Sequence, residues 1–471
     1  MTHAHLIGIG GSGLSAIARL LLESGYTVTG SDRELSPLAA NLQLAGAQIF
    51  VGHDPSQISG ADLIVRSSAI ADENPEVQAA LAAGIPVYKR ADFIGRLMEG
   101  KTGIAVAGTH GKTTTSAMIA WMLTDLGQAP SFIIGGVLAN LGVNARAGQG
   151  ETFVVEADEY DRMFLGLQPL YGIVTNIEHD HPDCYPTPAD FQAAFVDFAT
   201  LIPASGALIA CAEDMGAIEL MAESRRMGKR VIGYRISADG QTQADESVIA
   251  RGLRPNAVGG FTFDVVVRIA GRGEQVASIA LRVPGLHNVR NGLAALTIAA
   301  LLRLDLNEAA LALGKFSGTS RRFELKGQVD DITIIDDYAH HPTEIRATLA
   351  AARARFPGKR IWAFWQPHTY TRVQTLFDEF VISFHDADRV VVSEIYASRE
   401  ARQDLSAAQL AKAMRHPSVR FIAELDQIRD YLLENLHSGD VLLVLSAGNA
   451  DRVSREVLAA LQSRAEKVRS L

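Results

Sequence analysis

Two glycine-rich loops, each placed between a strand-like apolar run and a helix-like stretch, constrain the fold of this chain most strongly. The first covers residues 8–13 (GIGGSG) and the second covers residues 108–113 (GTHGKT). A loop of this kind brings backbone N–H groups at a helix N-terminus close to a phosphate. Two such loops far apart in the chain predict two α/β domains that each bind a phosphate-bearing ligand.

The other apolar runs extend this pattern to three domains. Each domain alternates strand-like runs with helical stretches, and the runs begin near residues 6, 104 and 332. A predicted antiparallel hairpin, residues 261–269 and 276–283, interrupts the alternation. The predicted fold is α/β with an N-terminal Rossmann-like domain, a central P-loop ATPase-like α/β domain and a C-terminal Rossmann-like domain, with boundaries at 1–98, 99–314 and 315–471.

Composition excludes several classes of protein. The 471 residues are 48% hydrophobic and 21% charged, which excludes a disordered or low-complexity chain. The net charge of −9 provides no overall positive field, so neither nucleic acid nor a membrane is expected as a partner. Only Cys184 and Cys211 are present, and the start of the chain has no basic, signal-like region. We therefore expect a cytoplasmic protein without disulfides.

The first loop has the spacing of a dinucleotide-binding turn. Gly8, Gly10 and Gly13 fit G-x-G-x-x-G, and Asp32 ends the second predicted strand, where a carboxylate can bind a ribose diol. Because such a loop contacts the pyrophosphate and not the base, NAD and a UDP-sugar are both possible ligands. A glycine turn that serves only helix packing is the alternative.

The second loop predicts a nucleotide triphosphate site. Lys112 is expected to be an exposed loop lysine that holds phosphate oxygens, and Thr113 is expected to bind Mg²⁺. The loop departs from G-x-x-x-x-G-K-[ST] because only two residues separate its glycines. The preceding strand and the following helix nevertheless provide the structural context that the motif requires.

Acids and histidines follow the next two predicted strands of the central domain. Glu156 opens residues 156–161 (EADEYD), and His181 lies within residues 176–183 (NIEHDHPD). The carboxyl ends of parallel strands share one crevice, so Glu156 and His181 are predicted to meet at a metal ion beside the phosphate loop. His179 with His181 would instead suit a transition metal, and solvated loop charges are the alternative for most of the acids.

Polar pairs lie farther along the chain. Asn288 and Asn291 are three residues apart at a predicted helix start, where their carboxamides could pair with an adenine edge. Asn288 could instead cap the helix. Residues 321–322 (RR) and 336–342 (DDYAHHP) supply cations and acids at the entrance of the third domain, with exposed salt bridges as the alternative.

In this order, the motifs resemble those of the Mur ligase family, ATP-dependent enzymes that form amide bonds in peptidoglycan precursor synthesis. The resemblance covers nearly the whole chain. Residues 366–372 (QPHTYTR) and 446–449 (SAGN) are similar to the member that joins L-alanine to the carboxylate of UDP-N-acetylmuramate. The resemblance implies ATP, two Mg²⁺ ions, an acyl-phosphate intermediate, these two small-molecule substrates as the partners, and a monomer or weak homodimer.

The same resemblance assigns roles to individual residues. The UDP substrate would contact Gly8, Gly10, Gly11, Ser12, Gly13, Asp32 and Ser68. ATP would contact Gly108, Thr109, His110, Gly111, Lys112, Thr113, Thr114, Asn288, Asn291, Arg322 and Asp337. The catalytic residues would be Lys112, His181, Arg322 and Asp337, and the magnesium ligands would be Thr113, Glu156 and His181. The muramoyl carboxylate and the amino acid would face His341, His368 and Arg372.

Other functions remain open at this point. Residues 156–161 are also similar to the ligase that attaches a recycled tripeptide to UDP-N-acetylmuramate. An NAD-dependent dehydrogenase would explain the first loop and Asp32 but not the second loop, and a nucleotide switch would explain only the second. No lysine occurs between His181 and Lys229, so the carbamylated lysine of later Mur ligases is not predicted.

Overall fold

The computed structural model describes residues 1–237, 246–398 and 400–469, without the side chains of Ser12, Val468 and Arg469. Its first sheet has five parallel strands: β1 (His3–Ile7), β2 (Thr27–Asp32), β3 (Gln48–Val51), β4 (Leu63–Arg66) and β5 (Val87–Lys89). The spatial order is β3-β2-β1-β4-β5, which confirms the predicted Rossmann-like domain. Its helices are α1 (Ser12–Glu23), α2 (Pro37–Leu44), α3 (Pro75–Ala82) and α4 (Arg90–Leu97).

The described residues form ten strands in the central sheet. In chain order they are β6 (Thr102–Ala107), β7 (Ser131–Leu138), β8 (Val143–Arg146), β9 (Thr152–Glu156), β10 (Tyr171–Val174), β11 (Ala207–Cys211), β12 (Val231–Ile236), β13 (Ser247–Pro255), β14 (Phe261–Ile269) and β15 (Gly273–Ala280). The spatial order is β15-β14-β13-β12-β11-β10-β6-β9-β7-β8, parallel from β13 to β7 and antiparallel at both ends. The predicted hairpin is confirmed as β14 and β15, whereas β13 was not predicted.

The helices of the central domain bring separate polar motifs to one edge. They are α5 (Lys112–Asp125), α6 (Pro188–Thr200), α7 (Met215–Arg226), α8 (Leu286–Leu301) and α9 (Leu306–Gly314). Small and apolar residues cover most of α5 and α8, so both helices are buried and pack against each other. A β-carbon on Gly111, which precedes α5, would lie 3.0 Å from Oδ1 of Asn291 in α8. The packing therefore places the second glycine loop beside the two asparagines.

In the described part of the C-terminal domain, the third sheet has six strands: β16 (Glu324–Val329), β17 (Ile332–Asp337), β18 (Ile361–Trp365), β19 (Arg389–Val392), β20 (Val419–Phe421) and β21 (Val441–Leu445). The order is β16-β17-β21-β18-β19-β20, and only the β16 edge is antiparallel. The helices are α10 (Pro342–Arg355), α11 (Tyr370–Thr375), α12 (Phe377–Val381), α13 (Ala407–Ala413), α14 (Leu425–Asn435) and α15 (Asp451–Arg469). Within the described residues, no helix has the length and apolar character needed to cross a bilayer.

The segment that connects the second and third sheets is paired with the central sheet. Thr319 forms an antiparallel bridge with Leu138 at the end of β7. Ala139 N donates to Gly318 O at 3.0 Å, and Ser320 N donates to Val137 O at 2.9 Å. This pairing fixes the start of the C-terminal domain against an edge region of the central domain.

Candidate active site

The second glycine loop follows β6 and is held by the neighbouring strand β10. Gly108 and Gly111 have φ angles of 125° and 82°, which favour glycine. A β-carbon on Gly108 would lie 2.1 Å from Thr175 Oγ1. Thr175 Oγ1 donates to His110 O at 2.6 Å, and Asn176 Oδ1 accepts from His110 N at 2.9 Å. The end of β10 thus fixes the loop in a shape that only glycine permits at these positions.

Lys112 is the first residue of α5, and its ammonium group folds back over the loop. Nζ donates to the carbonyl oxygens of Gly108 at 2.6 Å and Thr109 at 3.1 Å. It also pairs with the carboxylate of Glu159 at 2.8 Å. Burial alone would lower the pKa of Lys112, but Glu159 and Asp158 raise it above its ordinary value. Lys112 is 14% exposed, so the expectation of an exposed loop lysine is wrong.

Thr113 and Glu156 lie side by side in the way predicted for a magnesium site. Thr113 Oγ1 donates to Glu156 Oε1 at 2.9 Å, and Gly135 N donates to Oε2 at 2.7 Å. Burial raises the pKa of Glu156, while Lys112 and Gly135 oppose that change. A hydroxyl and a carboxylate are oxygen ligands of the kind that Mg²⁺ prefers, so the two residues fit this ion.

His181 lies beside other acids of the two motifs. Its Nε2 is 3.6 Å from Glu159 Oε1 and 3.8 Å from Asp180 Oδ2. The backbone of His181 has φ 56°, an uncommon value for a residue with a side chain. Glu159 therefore lies between Lys112 and His181 and joins the phosphate loop to the histidine predicted to bind metal.

A cavity of about 1100 Å³ extends from the loop along the N-terminus of α8. Asn288 Nδ2 donates to Pro284 O at 2.7 Å, and Asn291 Nδ2 donates to Asn288 Oδ1 at 3.1 Å. Gly285 precedes the first helical residue and no side chain caps it, so the alternative that Asn288 is the cap is wrong. The sequence analysis missed other residues of the cavity wall, namely Cys211, Glu213, Tyr234, His287 and Arg290.

The C-terminal domain closes the same cavity with Arg322 and Asp337. Arg322 Nη1 lies 3.7 Å from Glu344 Oε1, and its guanidinium lies 5.1 Å from the centre of the Tyr338 ring. Asp337 accepts from Phe323 N at 2.7 Å and from Ala339 N at 2.8 Å. Burial raises the pKa of Asp337 to about 6, although Arg322 opposes the change. Both sequence-predicted residues therefore line the cavity.

Comparison with known proteins identifies the family. Three family models match: Mur ligase family, catalytic domain, at residues 3–102; Mur ligase middle domain at 106–299; and Mur ligase, glutamate ligase domain, at 321–448. The UDP-N-acetylmuramate-L-alanine ligases of Salinibacter ruber and Roseiflexus castenholzii are each 42% identical to the chain, over 98% of its length and 95% and 97% of theirs. The chain belongs to the Mur ligase family. Because the chain belongs to this family, the alternatives of an NAD-dependent dehydrogenase and of a nucleotide switch are wrong.

Solved structures of Mur ligases are similar over the whole chain. The UDP-N-acetylmuramate-alanine ligase of Thermotoga maritima has a TM-score of 0.78 at 28% identity, covering 98% of this chain and 100% of that one. A murein peptide ligase from Psychrobacter arcticus has a TM-score of 0.69 at 28% identity, covering 98% and 99%. The three-domain α/β architecture is therefore that of the family.

The carboxylate of Asp32 accepts a hydrogen bond from the first glycine loop of this Mur ligase. Gly10 N donates to Asp32 Oδ2 at 2.8 Å, and Ser36 Oγ donates to Gly10 O at 2.9 Å. A β-carbon on Gly10 would lie 2.8 Å from Ser36 Oγ and 2.9 Å from Asp32 Oδ2. Gly8 has φ 86°, and Ser68 is exposed. The side chain of Ser12 lies outside the described part of the structure.

Arg90 covers the last glycine of this loop and was missed by the sequence analysis. A β-carbon on Gly13 would lie 1.8 Å from Arg90 Nη1. The same guanidinium reaches the central domain, where Nη2 lies 2.8 Å from Met163 Sδ and 3.5 Å from Asp158 Oδ2. Arg90 thus connects the first glycine loop to the segment that contains Glu159.

The three residues expected to face the amino acid lie at the boundary between the central and C-terminal domains. His341 precedes α10, is fully buried, and its Nδ1 accepts from Thr343 N at 3.3 Å. His368 Nδ1 is 3.1 Å from Arg372 Nη1, and its ring lies 5.8 Å from that of Tyr396. Arg372 is buried against an acid of the central domain rather than open to a substrate.

A second set of acids at this boundary was also missed. His110 of the phosphate loop lies between Glu178, 2.9 Å from Nε2, and Glu344, 3.2 Å from Nδ1. Burial opposes protonation, but the two carboxylates raise the pKa of His110 to about 9. His341 and Glu344 form a helix capping box in the structure. Because such a box is predicted from Ser, Thr, Asp or Asn at the first position and not from His, the sequence contained no clear signal for Glu344.

Proposed function

We propose that this Mur ligase joins L-alanine to the carboxylate of UDP-N-acetylmuramate, using ATP and forming ADP and phosphate. The observation that carries the proposal is the 42% identity to ligases of that name over 98% of the chain. We assign the first glycine loop to the UDP group, the second to ATP, and the boundary around His368 to the amino acid. The domain limits are proposed at residues 1–98, 99–314 and 315–471.

The reaction requires the carboxylate to gain a good leaving group. Its oxygen attacks the γ-phosphorus of ATP, the bond to the β,γ-bridging oxygen breaks, and an acyl phosphate and ADP form. Lys112 and Arg322 hold positive charge where the phosphoryl transition state spreads its negative charge. Lys112 pairs with Glu159 in this structure, so we propose that the γ-phosphate takes the place of that carboxylate when ATP binds.

Magnesium fits the oxygen ligands of Thr113 and Glu156, and a second ion is proposed at His181. When bound, Mg²⁺ neutralises charge on the phosphates and orients them for in-line transfer. Asn288 and Asn291 are proposed to contact adenine, and Asp337 to contact the ribose or phosphates. Gly8, Gly10, Gly11, Gly13, Asp32 and Ser68, together with Ser12, are proposed to bind the UDP group.

The second half-reaction forms the amide. The alanine amine attacks the acyl carbon, the bond to the phosphate oxygen breaks, and phosphate leaves. The amine must first lose a proton because free alanine is mainly an ammonium ion at neutral pH. Burial holds the pKa of His340 at about 3 and that of His341 at about 4, so both imidazoles are neutral at the boundary where we place alanine.

Cellular setting and assembly complete the proposal. Cys184 and Cys211 are both free thiols, in agreement with a reducing compartment, and we propose that the enzyme works in the cytoplasm. We propose that it acts on small molecules as a monomer or a weak homodimer. Sedimentation over a range of concentrations would test the assembly.

The decisive experiment compares two amine substrates. Phosphate release is measured with ATP, Mg²⁺ and UDP-N-acetylmuramate, adding either L-alanine or L-alanyl-γ-D-glutamyl-diaminopimelate at equal concentration. We expect turnover with alanine that depends on all components, and little turnover with the tripeptide. Faster turnover of the tripeptide would overturn the proposal in favour of the recycling ligase, a function related to that of the Psychrobacter arcticus structure.

A further inference from the structure

Three potential metal ligands meet where the phosphate loop contacts the C-terminal domain. They are His110 of the loop, Glu178 after β10 and His341 before α10, and one ligand atom of each lies within 4.8 Å of the others. Glu178 Oε2 is 2.9 Å from His110 Nε2 and 3.9 Å from His341 Nδ1. The two imidazole rings are 4.7 Å apart between their centres. Two nitrogen atoms and one oxygen therefore surround a common point.

The separations are close to those of a tetrahedral metal site. Zinc binds imidazole nitrogen and carboxylate oxygen at about 2.0–2.2 Å, which corresponds to ligand atoms about 3.3 Å apart. Glu178 Oε2 lies 2.9 Å from His110 Nε2, and a ring nitrogen of His341 lies within 4.8 Å of the other two ligand atoms. Small movements of the side chains would therefore bring all three ligands to bonding distance. Imidazole nitrogen favours a first-row transition metal over Mg²⁺.

The groups around these ligands are those that metal sites use to orient them. Nδ1 of His110 is 3.2 Å from Glu344 Oε1, so a carboxylate holds the ring nitrogen that faces away from Glu178. Glu178 Oε1 accepts from Thr343 Oγ1 at 2.8 Å, which leaves Oε2 directed at the histidines. His341 is fully buried, its Nδ1 accepts from Thr343 N, and its Nε2 has no hydrogen-bond partner among the described residues, so Nε2 is the nitrogen free to bind an ion. An unpartnered buried nitrogen is costly unless a ligand satisfies it.

We propose that His110, Glu178 and His341 form a binding site for a transition-metal ion of the zinc class, separate from the magnesium site proposed at Thr113 and Glu156. The ion replaces the proton that His110 shares with Glu178. It ties the phosphate loop of the central domain to the N-terminus of α10 in the C-terminal domain. Zinc is therefore expected to inhibit turnover by fixing the loop in the arrangement described here.

The test is zinc binding to the full-length chain without nucleotide, in excess Mg²⁺, by calorimetry and by the absorption spectrum of bound Co²⁺. We expect one saturable site per chain and a Co²⁺ spectrum typical of nitrogen and oxygen ligands. Glu178→Gln and His341→Gln should each weaken zinc binding at least about tenfold. Glu178 is 35% exposed, so its variant should fold even if that of buried His341 does not, and thermal unfolding checks both.

Two histidine variants serve as controls. His385→Gln alters an exposed histidine of the C-terminal domain and should leave zinc binding unchanged. His181→Gln should also leave it unchanged, because His181 belongs to the other proposed site. The proposal is overturned if zinc does not bind saturably below about 100 µM, or if His181→Gln weakens binding while Glu178→Gln does not. Binding is measured without substrates, so the result is independent of the ligase function.

Discussion

Arg372 of the C-terminal domain and Asp180 of the central domain form a buried ion pair. Arg372 Nη2 lies 2.9 and 3.2 Å from the two carboxylate oxygens, and Nε lies 3.1 Å from Oδ1. The side chains are only 7% and 6% exposed. Burial alone would raise the pKa of Asp180, but Arg372 holds it well below its usual range. The pair therefore fixes one domain against the other at the point where we place the amino acid.

Arg372→Gln should destabilise the protein by about 3–5 kcal/mol, because it leaves the carboxylate of Asp180 buried without its cation. The double variant Asp180→Asn/Arg372→Gln should recover a large part of that loss, since no uncompensated charge remains. Chemical denaturation of the parent, both single variants and the double variant gives the coupling free energy. Additive effects would show that the two side chains do not interact in solution.

Lys112→Ala should reduce kcat at least about a hundredfold, because one cation that stabilises the phosphoryl transition state is lost. The substitution also leaves the buried carboxylate of Glu159 without its nearest cation, so we expect destabilisation as well as lost activity. Lys112→Ala/Glu159→Gln should restore stability but not turnover. Lys229→Ala is the matched control, since the backbone oxygens of Thr200 and Ile202 accept from that ammonium. Activity above a tenth of the parent in Lys112→Ala would contradict the assignment.

Gly10→Ala should raise the KM for UDP-N-acetylmuramate at least about tenfold and change the KM for ATP little. The new β-carbon would press on Ser36 and Asp32, which close the first loop. At Gly11 a β-carbon would meet only Gly8 O at 3.5 Å, an ordinary contact, so Gly11→Ala should be the milder change. Steady-state kinetics with each substrate varied in turn measures both constants. A selective rise in the KM for ATP would reverse the assignment of the two loops.

His368→Ala should lower kcat with L-alanine without weakening ATP binding, because His368 contacts Arg372 and Tyr396 rather than the nucleotide cavity. ATP affinity is measured by calorimetry, and turnover by phosphate release. His385→Ala, at an exposed position, serves as the control. If His368→Ala changes only ATP affinity, the amino acid does not bind at this boundary.

Glycine should be a poorer substrate than alanine. The difference in kcat/KM should correspond to about 1–3 kcal/mol of activation free energy, the value of one methyl group.

Asp336 should make stability fall as pH rises through the weakly acidic range. Burial raises its pKa to about 6, although Arg321 at 3.3 Å opposes the change. The folded state therefore binds this proton more tightly than the unfolded state, whose pKa is near 3.8. This contribution of Asp336 to the free energy of unfolding is on the order of 3 kcal/mol. It is present below about pH 4 and is lost between about pH 4 and 6. Asp336→Asn should remove this part of the pH dependence in denaturation experiments, and an unchanged profile would contradict it.

The sequence predicted the features that repeat along the chain. Alternating apolar runs gave the three sheets, and glycine spacing gave both loops, because strand ends and tight turns depend on local residues. The family resemblance implied that Thr113 and Glu156 share a magnesium ion, and they lie side by side because β6 and β9 are parallel neighbours. Strand β13 was missed because its buried residues, 247–250, are followed by exposed and half-buried residues, so apolar and polar residues do not alternate along it.

Contacts between domains could not be predicted from spacing. Arg372 was expected to face a substrate, yet its partner Asp180 is a residue of another domain. Glu344 contacts His110 across the same boundary, and Glu159 pairs with Lys112 across the phosphate loop. For Asp180 and Glu159 the sequence left open a solvated loop charge, and it assigned no role to Glu344. Only the relative placement of the elements shows that they are buried against cations.

The pairing of residues 318–320 with the end of β7 determines how the C-terminal domain can turn. Because this segment is attached to the central sheet, any rotation of the domain has its axis beyond Ser320. Arg321 and Phe323 follow with φ angles of 57° and 49°, so the chain bends sharply there. Arg322 therefore lies next to the attached segment. If the Arg372–Asp180 pair opened and the domain rotated, the guanidinium of Arg322 would move less than residues farther from Ser320 and would stay beside the nucleotide cavity.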